Sequence, residues 1–330
     1  MRKSVTRPWL SSGRTLPGPL NPITHREGNK MVVQVNVKKL KNYWPVYLLV
    51  ALPMLLVLVF NYYPIFNGFI HIFYRWDGDM IEEFTGLENL LKVLHDTDLW
   101  KSFIVVSFFI LANLLKMIIP IAAAVILHHI INDRASYIYR VMFVIPMVVP
   151  VMVFFLMWKY FYEPNTGVLN EILRAVGIIK PTEIVQWLSD ANLVVPSLIF
   201  AGFPWVGAFG VLIYLAGLQN IPEDIYEAAE IDGAGAMRIF WQMELPLIMT
   251  QVRINLILMM IRTIQQWQNV YLFVGESGGP NGVATVPGLL VFREAFSRGY
   301  FGYGCAIGFL LFLVTLILTF FNNKFVRTKK

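Results

Sequence analysis

The sequence predicts an all-α membrane protein with six transmembrane helices, and three observations carry that prediction. The 330 residues are 57% hydrophobic and only 15% charged, with a mean hydropathy of +0.59, whereas soluble chains carry about 25% charge to cover their surface. Six apolar stretches, near 45–63, 102–127, 140–161, 191–217, 248–274 and 301–321, each reach the roughly 20 residues that cross a bilayer core of about 30 Å. Most Lys and Arg residues gather at the ends of those stretches, as topology signals do.

The first stretch is read as an uncleaved helix. No small-x-small cleavage site follows Phe60, and five more spans come after it. Residues 1–40, rich in Pro, Gly and basic side chains without periodicity, are expected to form a disordered basic tail, with Met31 as an alternative start to Met1. Residues 41–330 are then the membrane domain. With the N-terminus inside, sixteen Lys and Arg flank the cytoplasmic ends of the spans against seven outside, so both termini are expected in the cytoplasm. The formal charge of +6 is part of this signal. Without interleaved aromatics it implies no nucleic-acid partner. Cys305 lies alone in an apolar stretch, so no disulfide framework exists and the thiol reads as a small packing residue.

One cytoplasmic loop defies the positive-inside pattern. Residues 218–247 hold one Arg against Glu223, Asp224, Glu227, Glu230, Asp232 and Glu244. Asn220 is expected to cap a helix with Glu223 as its capping-box partner, and Pro222 is tolerated in the first turn. The helix continues through Ile225, Ala228, Ala229 and Asp232, which share one side by their spacing. Gly233 is expected to end it in the left-handed conformation. A second amphipathic stretch, Met237 to Leu245, is expected to stop at Pro246.

The residues Glu227-Ala228-Ala229-x-x-x-Gly233, then nine residues, then Met243-Glu244-Leu245-Pro246, resemble the EAA loop of binding-protein-dependent ABC importer permeases. The longer string through Asp232-Gly233-Ala234, with Phe240-Trp241 and Leu245-Pro246, resembles the sugar-type branch that includes maltose, multiple-sugar and glycerol-phosphate permeases. Phe84-Thr85-Gly86-Leu87-Glu88-Asn89, Ser277-Gly278-Gly279-Pro280 and Tyr303-Gly304-Cys305-Ala306 also resemble that branch, and the likeness covers about 42–327. Met243 stands where the family usually has Ile.

The resemblance implies the type I ABC importer permease fold with a cytoplasmic coupling helix, seated in the bacterial inner membrane among its lipids. It implies a second homologous permease, two ATPase subunits that hold ATP-Mg, an extracytoplasmic solute-binding protein and a sugar or oligosaccharide as substrate. It also implies that Glu227, Ala228, Ala229, Asp232, Gly233, Ala234 and Pro246 form the ATPase-coupling loop within 220–246. Glu227 would pair in the docking cleft, and Asp232 would hold the turn that Gly233 makes possible.

No cofactor of its own is expected. The chain has no Gly-x4-Gly-Lys-Ser/Thr phosphate cradle, and His25, His71, His95, His128 and His129 never fall at metal-ligand spacing on a helix. His128 and His129 read as interfacial caps at a helix end. With no titratable pair or metal cluster facing one cavity, a membrane enzyme is disfavoured. No filter segment or internal repeat supports a channel or a secondary, non-ABC transporter.

The fifth span suggests where solute passes. Asn255, Arg262 and Asn269 repeat at seven, with Gln265, Gln266 and Trp267 close by, and Asn113 and Lys116 stand at i, i+3 in the second span. Polar side chains at membrane depth line a pathway or bond between helices. Two cations at that depth would suit an anionic solute such as a uronate oligosaccharide or a phosphorylated sugar, glycerol phosphate being the non-sugar alternative. Trp158, Trp205 and Trp267 are the aromatics that could stack on pyranose rings, and the same ring type also favours membrane interfaces.

Overall fold

The computed structural model describes residues 24–27, 30–33, 44–80, 82–130 and 132–325, so most of the tail expected at 1–40 lies outside the described residues. The chain divides into two compact units, Met1–Ile65 and Phe66–Lys330. In the first, strands β1 (Thr24–Glu27) and β2 (Lys30–Val33) pair antiparallel, Thr24 opposite Val33. The same unit holds most of helix α1 (Trp44–His71), whose last residues belong to the second unit. No side chain from Trp44 to Val57 is buried. An apolar helix exposed all round is at home in lipid.

In the second unit, strands β3 (Tyr74–Trp76) and β4 (Glu82–Phe84) form a hairpin with Tyr74 opposite Phe84. Helix α2 (Glu88–His95) follows, and Asn89 donates to the carbonyls of Ile72 (2.9 Å) and Tyr74 (2.8 Å). Asp96 caps the amides of Asp98 and Leu99 and starts α3 (Thr97–His128). Then come α4 (Asp133–Val144), capped by Asn132, α5 (Val151–Phe161), α6 (Val168–Ala175), α7 (Val194–Phe200) and α8 (Ala208–Leu218). The chain ends with α9 (Glu223–Ile231), α10 (Ala236–Leu247), α11 (Met249–Gln265), α12 (Gln268–Val274), α13 (Pro287–Phe292) and α14 (Phe301–Phe325).

All six apolar segments are present, but only α1, α3 and α14 are long continuous helices. The segment expected at 140–161 bends by 89° between α4 and α5. Pro150 accounts for the break, because the residue before a proline is pushed from helical geometry and Val149 is extended at φ −66°, ψ 123°; Pro146, whose predecessor Ile145 stays helical at φ −48°, ψ −45°, sits in the tight turn just before it. The segment at 191–217 is broken into α7 and α8 by a non-helical link holding Gly202 at φ +86° and Pro204. The segment at 248–274 is interrupted at Gln266 and Trp267. Hydropathy counts cannot see such breaks, and at membrane depth they are tolerated where the freed backbone is buried or lines a watery cavity.

Two prolines are absorbed without a break. Wide π turns at Leu58–Tyr62 and Phe240–Glu244 come two residues before Pro64 and Pro246, and their five-residue hydrogen bonds relax the chain around a residue that donates none. Pro246 therefore does not stop the second loop helix as expected. The helix runs on to Leu247, and a 66° bend into α11 follows.

Among the described residues, two of the three hydrophobic cores of the second unit pack around the elements that carry the site. One gathers Val106 and Phe109 of α3, Phe155 and Trp158 of α5, Leu198 of α7, Ile264 of α11 and Phe273 of α12. The other joins Leu127 of α3 to Val211, Tyr214 and Leu218 of α8 and to Ile248, with Ile221 packed against it. That second core sets the base of the 220–246 loop.

Candidate functional site

Where α11 stops and α12 starts, the chain opens a cavity of about 620 Å³ lined by Asn113, Arg262, Gln265, Gln266, Trp267 and Asn269, together with Met259, Thr263 and Gln268. A continuous helix would have placed these side chains along a stripe; the break turns them around one opening. Amides and a guanidinium present donors and acceptors, while the half-buried Trp267 ring stacks on Phe292 at 4.4 Å and 13° and brings an aromatic surface to the lining. Asn113 Nδ2 donates to Thr263 Oγ1 at 2.9 Å on the cavity wall.

Lys116 and Asn255 are not in that lining. Lys116 Nζ lies 5.2 Å from the centre of the Trp205 ring, and the Arg262 guanidinium 5.6 Å from that of Phe209. Both aromatics belong to the stretch around the break between α7 and α8, so one segment carries a cation at each. Among the described residues neither cation has a carboxylate within ion-pair distance. Asn255 stands beside Gly210 of α8 with its Nδ2 buried. Trp158 is 9% exposed amid Phe154, Phe161, Tyr162 and Phe200, so its rings pack the core and are closed to a solute.

The acidic loop is a helix-turn-helix. α9 ends in a Schellman motif, with Gly233 at φ +71°, Gly233 N–H bonded to Glu230 O at 3.0 Å and Ala234 N–H to Ala229 O at 2.9 Å. The backbone makes this turn; the Asp232 side chain, exposed, has no partner there among the described residues. Asn220 does not cap α9. Its amide turns back to donate to Ala216 O at 2.8 Å, and Pro222 occupies the cap position with no side-chain bond. The face expected to be shared also divides, since Ala229 is buried while Ala228 and Asp232 are exposed. Glu227, Gly233 and Pro246 are exposed as well, and Ala234 is half-buried. Ile231, Met237 and Trp241, at 87%, 75% and 62% exposure, leave the tip with large apolar side chains of the kind that mark a partner surface.

The base of this loop holds a contact that sequence reasoning missed. Glu244 is 1% exposed, and its Oε1 accepts from the Tyr226 hydroxyl at 3.1 Å and lies 2.8 Å from His129 Nε2. His129 is thus paired with a carboxylate across the fold. Burial first, then the Glu244 carboxylate, push the Tyr226 phenol well above its ordinary value. The available signal was an acidic residue directly before Leu245-Pro246 in an apolar run.

A family described as the binding-protein-dependent transport system inner membrane component matches residues 117–330. The chain belongs to that family. It resembles curated permeases along most of its length. It is 34% identical over 286 residues to the trehalose/maltose transport system permease protein MalF of Thermococcus litoralis, covering 86% of this chain and 94% of that one. It is 30% identical over 293 residues to the multiple sugar-binding transport system permease protein MsmF of Streptococcus mutans, covering 87% and 96%. Among solved structures, a chain of a bacterial ABC transporter involved in import of the acidic polysaccharide alginate superposes with a TM-score of 0.76 at 19% identity, over 88% of this chain and 97% of that one. That likeness is one of overall fold.

Proposed function

We propose that this chain is one of two permease subunits of an ATP-driven importer for a sugar or oligosaccharide, and that the cavity at the break between α11 and α12 is part of the path. The observation that carries the reading is the lining itself. Amide and guanidinium groups from Asn113, Arg262, Gln265, Gln266 and Asn269 suit a solute covered in hydroxyls, and the Trp267 ring beside them suits the apolar face of a pyranose. The printed functions of the relatives, transport of trehalose, maltose and multiple sugars, support the class. Lys116 and Arg262, cations at membrane depth with aromatics beside them and, among the described residues, no carboxylate within ion-pair distance, favour an acidic solute, because an uncompensated charge there is costly until a counter-charge arrives. Glycerol phosphate meets the same charge requirement and is the alternative on that ground.

In this reading both termini are cytoplasmic and the 220–246 loop docks into a separate ATPase, whose ATP-Mg chemistry supplies the energy. An extracytoplasmic binding protein delivers solute to the other side, and a second, homologous permease completes the path. Closure of the ATPase pair moves α9 as a lever, and the exposed Ile231, Met237 and Trp241 are the surface it grips. This chain's part is to bind, to open on alternate sides and to transmit force.

The test is uptake in proteoliposomes that contain the partner subunits, with a labelled neutral disaccharide and a labelled uronate oligosaccharide as probes. Arg262→Gln is expected to depress uptake of the uronate selectively. Equal effects on both sugars would refute the acidic assignment, and failure to accumulate either would refute the sugar reading.

A further inference from the structure

Both helices of the loop and the end of a helix far earlier in the chain meet on one buried oxygen atom. Glu244 sits in the π turn Phe240–Glu244 of α10 at 1% exposure. Its Oε1 receives the Tyr226 hydroxyl of α9 at 3.1 Å and faces His129 Nε2, just beyond the end of α3, at 2.8 Å. The other oxygen, Oε2, is buried with no hydrogen-bond partner among the described residues. The rings of His128 and His129 also lie 5.7 Å and 6.2 Å from that of Tyr226. A carboxylate removed from water is tolerated only where donors converge on it, and here both come from other elements. Its bonds therefore hold those elements in register: a displacement of α9 by an ångström or two stretches a charge-assisted bond unless α3 follows.

We propose that Glu244 is the positioning residue through which movement of α9 reaches α3, with Tyr226 and His129 as its two arms. From His128, α3 runs back to Asn113 on the cavity wall, roughly 22 Å along the helix at about 1.5 Å per residue, where Asn113 bonds Thr263. The joint thus connects the base of the loop to the helix that lines the cavity. A carboxylate held rigidly by two arms transmits displacement in either direction, so the solute-bound state of the cavity also biases α9. The inference rests on the proposed function in one respect, that α9 is the element an ATPase moves.

The test uses the reconstituted complex of permeases, ATPases and binding protein. The probe is whichever of a labelled neutral disaccharide or a uronate oligosaccharide the intact chain accumulates, and uptake and ATP hydrolysis are measured in the same vesicles. Tyr226→Phe, His129→Gln and Glu244→Gln are each expected to lower solute taken up per ATP hydrolysed by at least roughly threefold while the ATPase still co-purifies. The double variant Tyr226→Phe/Glu244→Gln is expected to fall no further than the weaker single variant, since both cut the same joint. A merely structural contact would reduce the yield of complex and leave uptake per ATP unchanged, and that result overturns the proposal, as do losses that multiply in the double variant. If Glu244→Gln fails to assemble, Tyr226→Phe and His129→Gln decide the matter on the same ratio. Absence of the ATPase from the intact chain would instead overturn the functional reading on which the joint depends.

Discussion

Asn113 of α3 donates through Nδ2 to the hydroxyl of Thr263 in α11 at 2.9 Å, and that hydroxyl hands its own hydrogen to the Met259 carbonyl at 2.8 Å. The pair joins two helices on the wall of the cavity. With Thr263 2% exposed, the bond is sheltered and fixes which way the Asn113 amide points.

Removing that bond has a modest, measurable cost. Thr263→Val, combined with Asn113→Leu in a double-mutant cycle, is expected to give a coupling energy of about 0.6 kcal/mol, the usual size of an interhelical hydrogen bond in a membrane. Thermal unfolding of the purified protein in detergent reads it out. A coupling near zero would mean that the two side chains act independently.

The first turn of α14 leaves no room for a methyl group at Gly302. A Cβ on Gly302 would collide with the Tyr74 carbonyl oxygen and come within 3.2 Å of Asn89 Nδ2 and His71 O, all backbone or anchored groups that cannot move aside. Gly302→Ala is expected to destabilise by about 1–3 kcal/mol and to lower the melting temperature. Gly308→Ala, where nothing lies within 4 Å of the new Cβ, is the control expected to melt as the parent does.

The phenol of Tyr226 is held above its ordinary value of 10.0. In the folded chain it therefore keeps its proton at pH values where the unfolded chain releases it. Its contribution to stability is full below that ordinary value and is lost as pH rises through the raised one. Ultraviolet titration of phenolate is expected to show one late-titrating tyrosine fewer in Tyr226→Phe than in the parent. A Tyr226→Phe curve that differs from the parent only by an ordinary tyrosine would contradict the burial of this hydroxyl against Glu244.

Much of this was legible in the sequence, for physical reasons. The apolar runs that became α1, α3 and α14 are long enough to announce themselves, and Gly233 was readable because only a residue without Cβ ends a helix comfortably at positive φ. The loop string around Glu227 and Leu245-Pro246 announced the family. The breaks in the other spans were harder to place, since Pro146, Pro150, Gly202 and Pro204 each allow either a kink or a full interruption. Asn220 was misread because its side chain can turn forward, to accept as a cap through Oδ1, or back, to donate through Nδ2 to Ala216 O, and it does the second. The heptad of Asn255, Arg262 and Asn269 assumed one straight helix; the interruption at Gln266 and Trp267 brought Asn269 to the cavity and left Asn255 against Gly210. The convergence of His129, Tyr226 and Glu244 depends on tertiary structure alone, and nothing in the spacing of 129, 226 and 244 encodes it.

The central claim is that the 220–246 loop couples this chain to a separate ATPase. Its most direct test is ATP-driven uptake and ATPase co-purification, comparing the intact chain with Gly233→Pro, which forbids the φ of +71° at the turn. The account predicts that the intact chain retains the ATPase and accumulates sugar only with ATP and binding protein present, and that the variant loses the ATPase or hydrolyses ATP without uptake. Uptake that needs no ATP, or a Gly233→Pro chain that binds and transports like the parent, would contradict it.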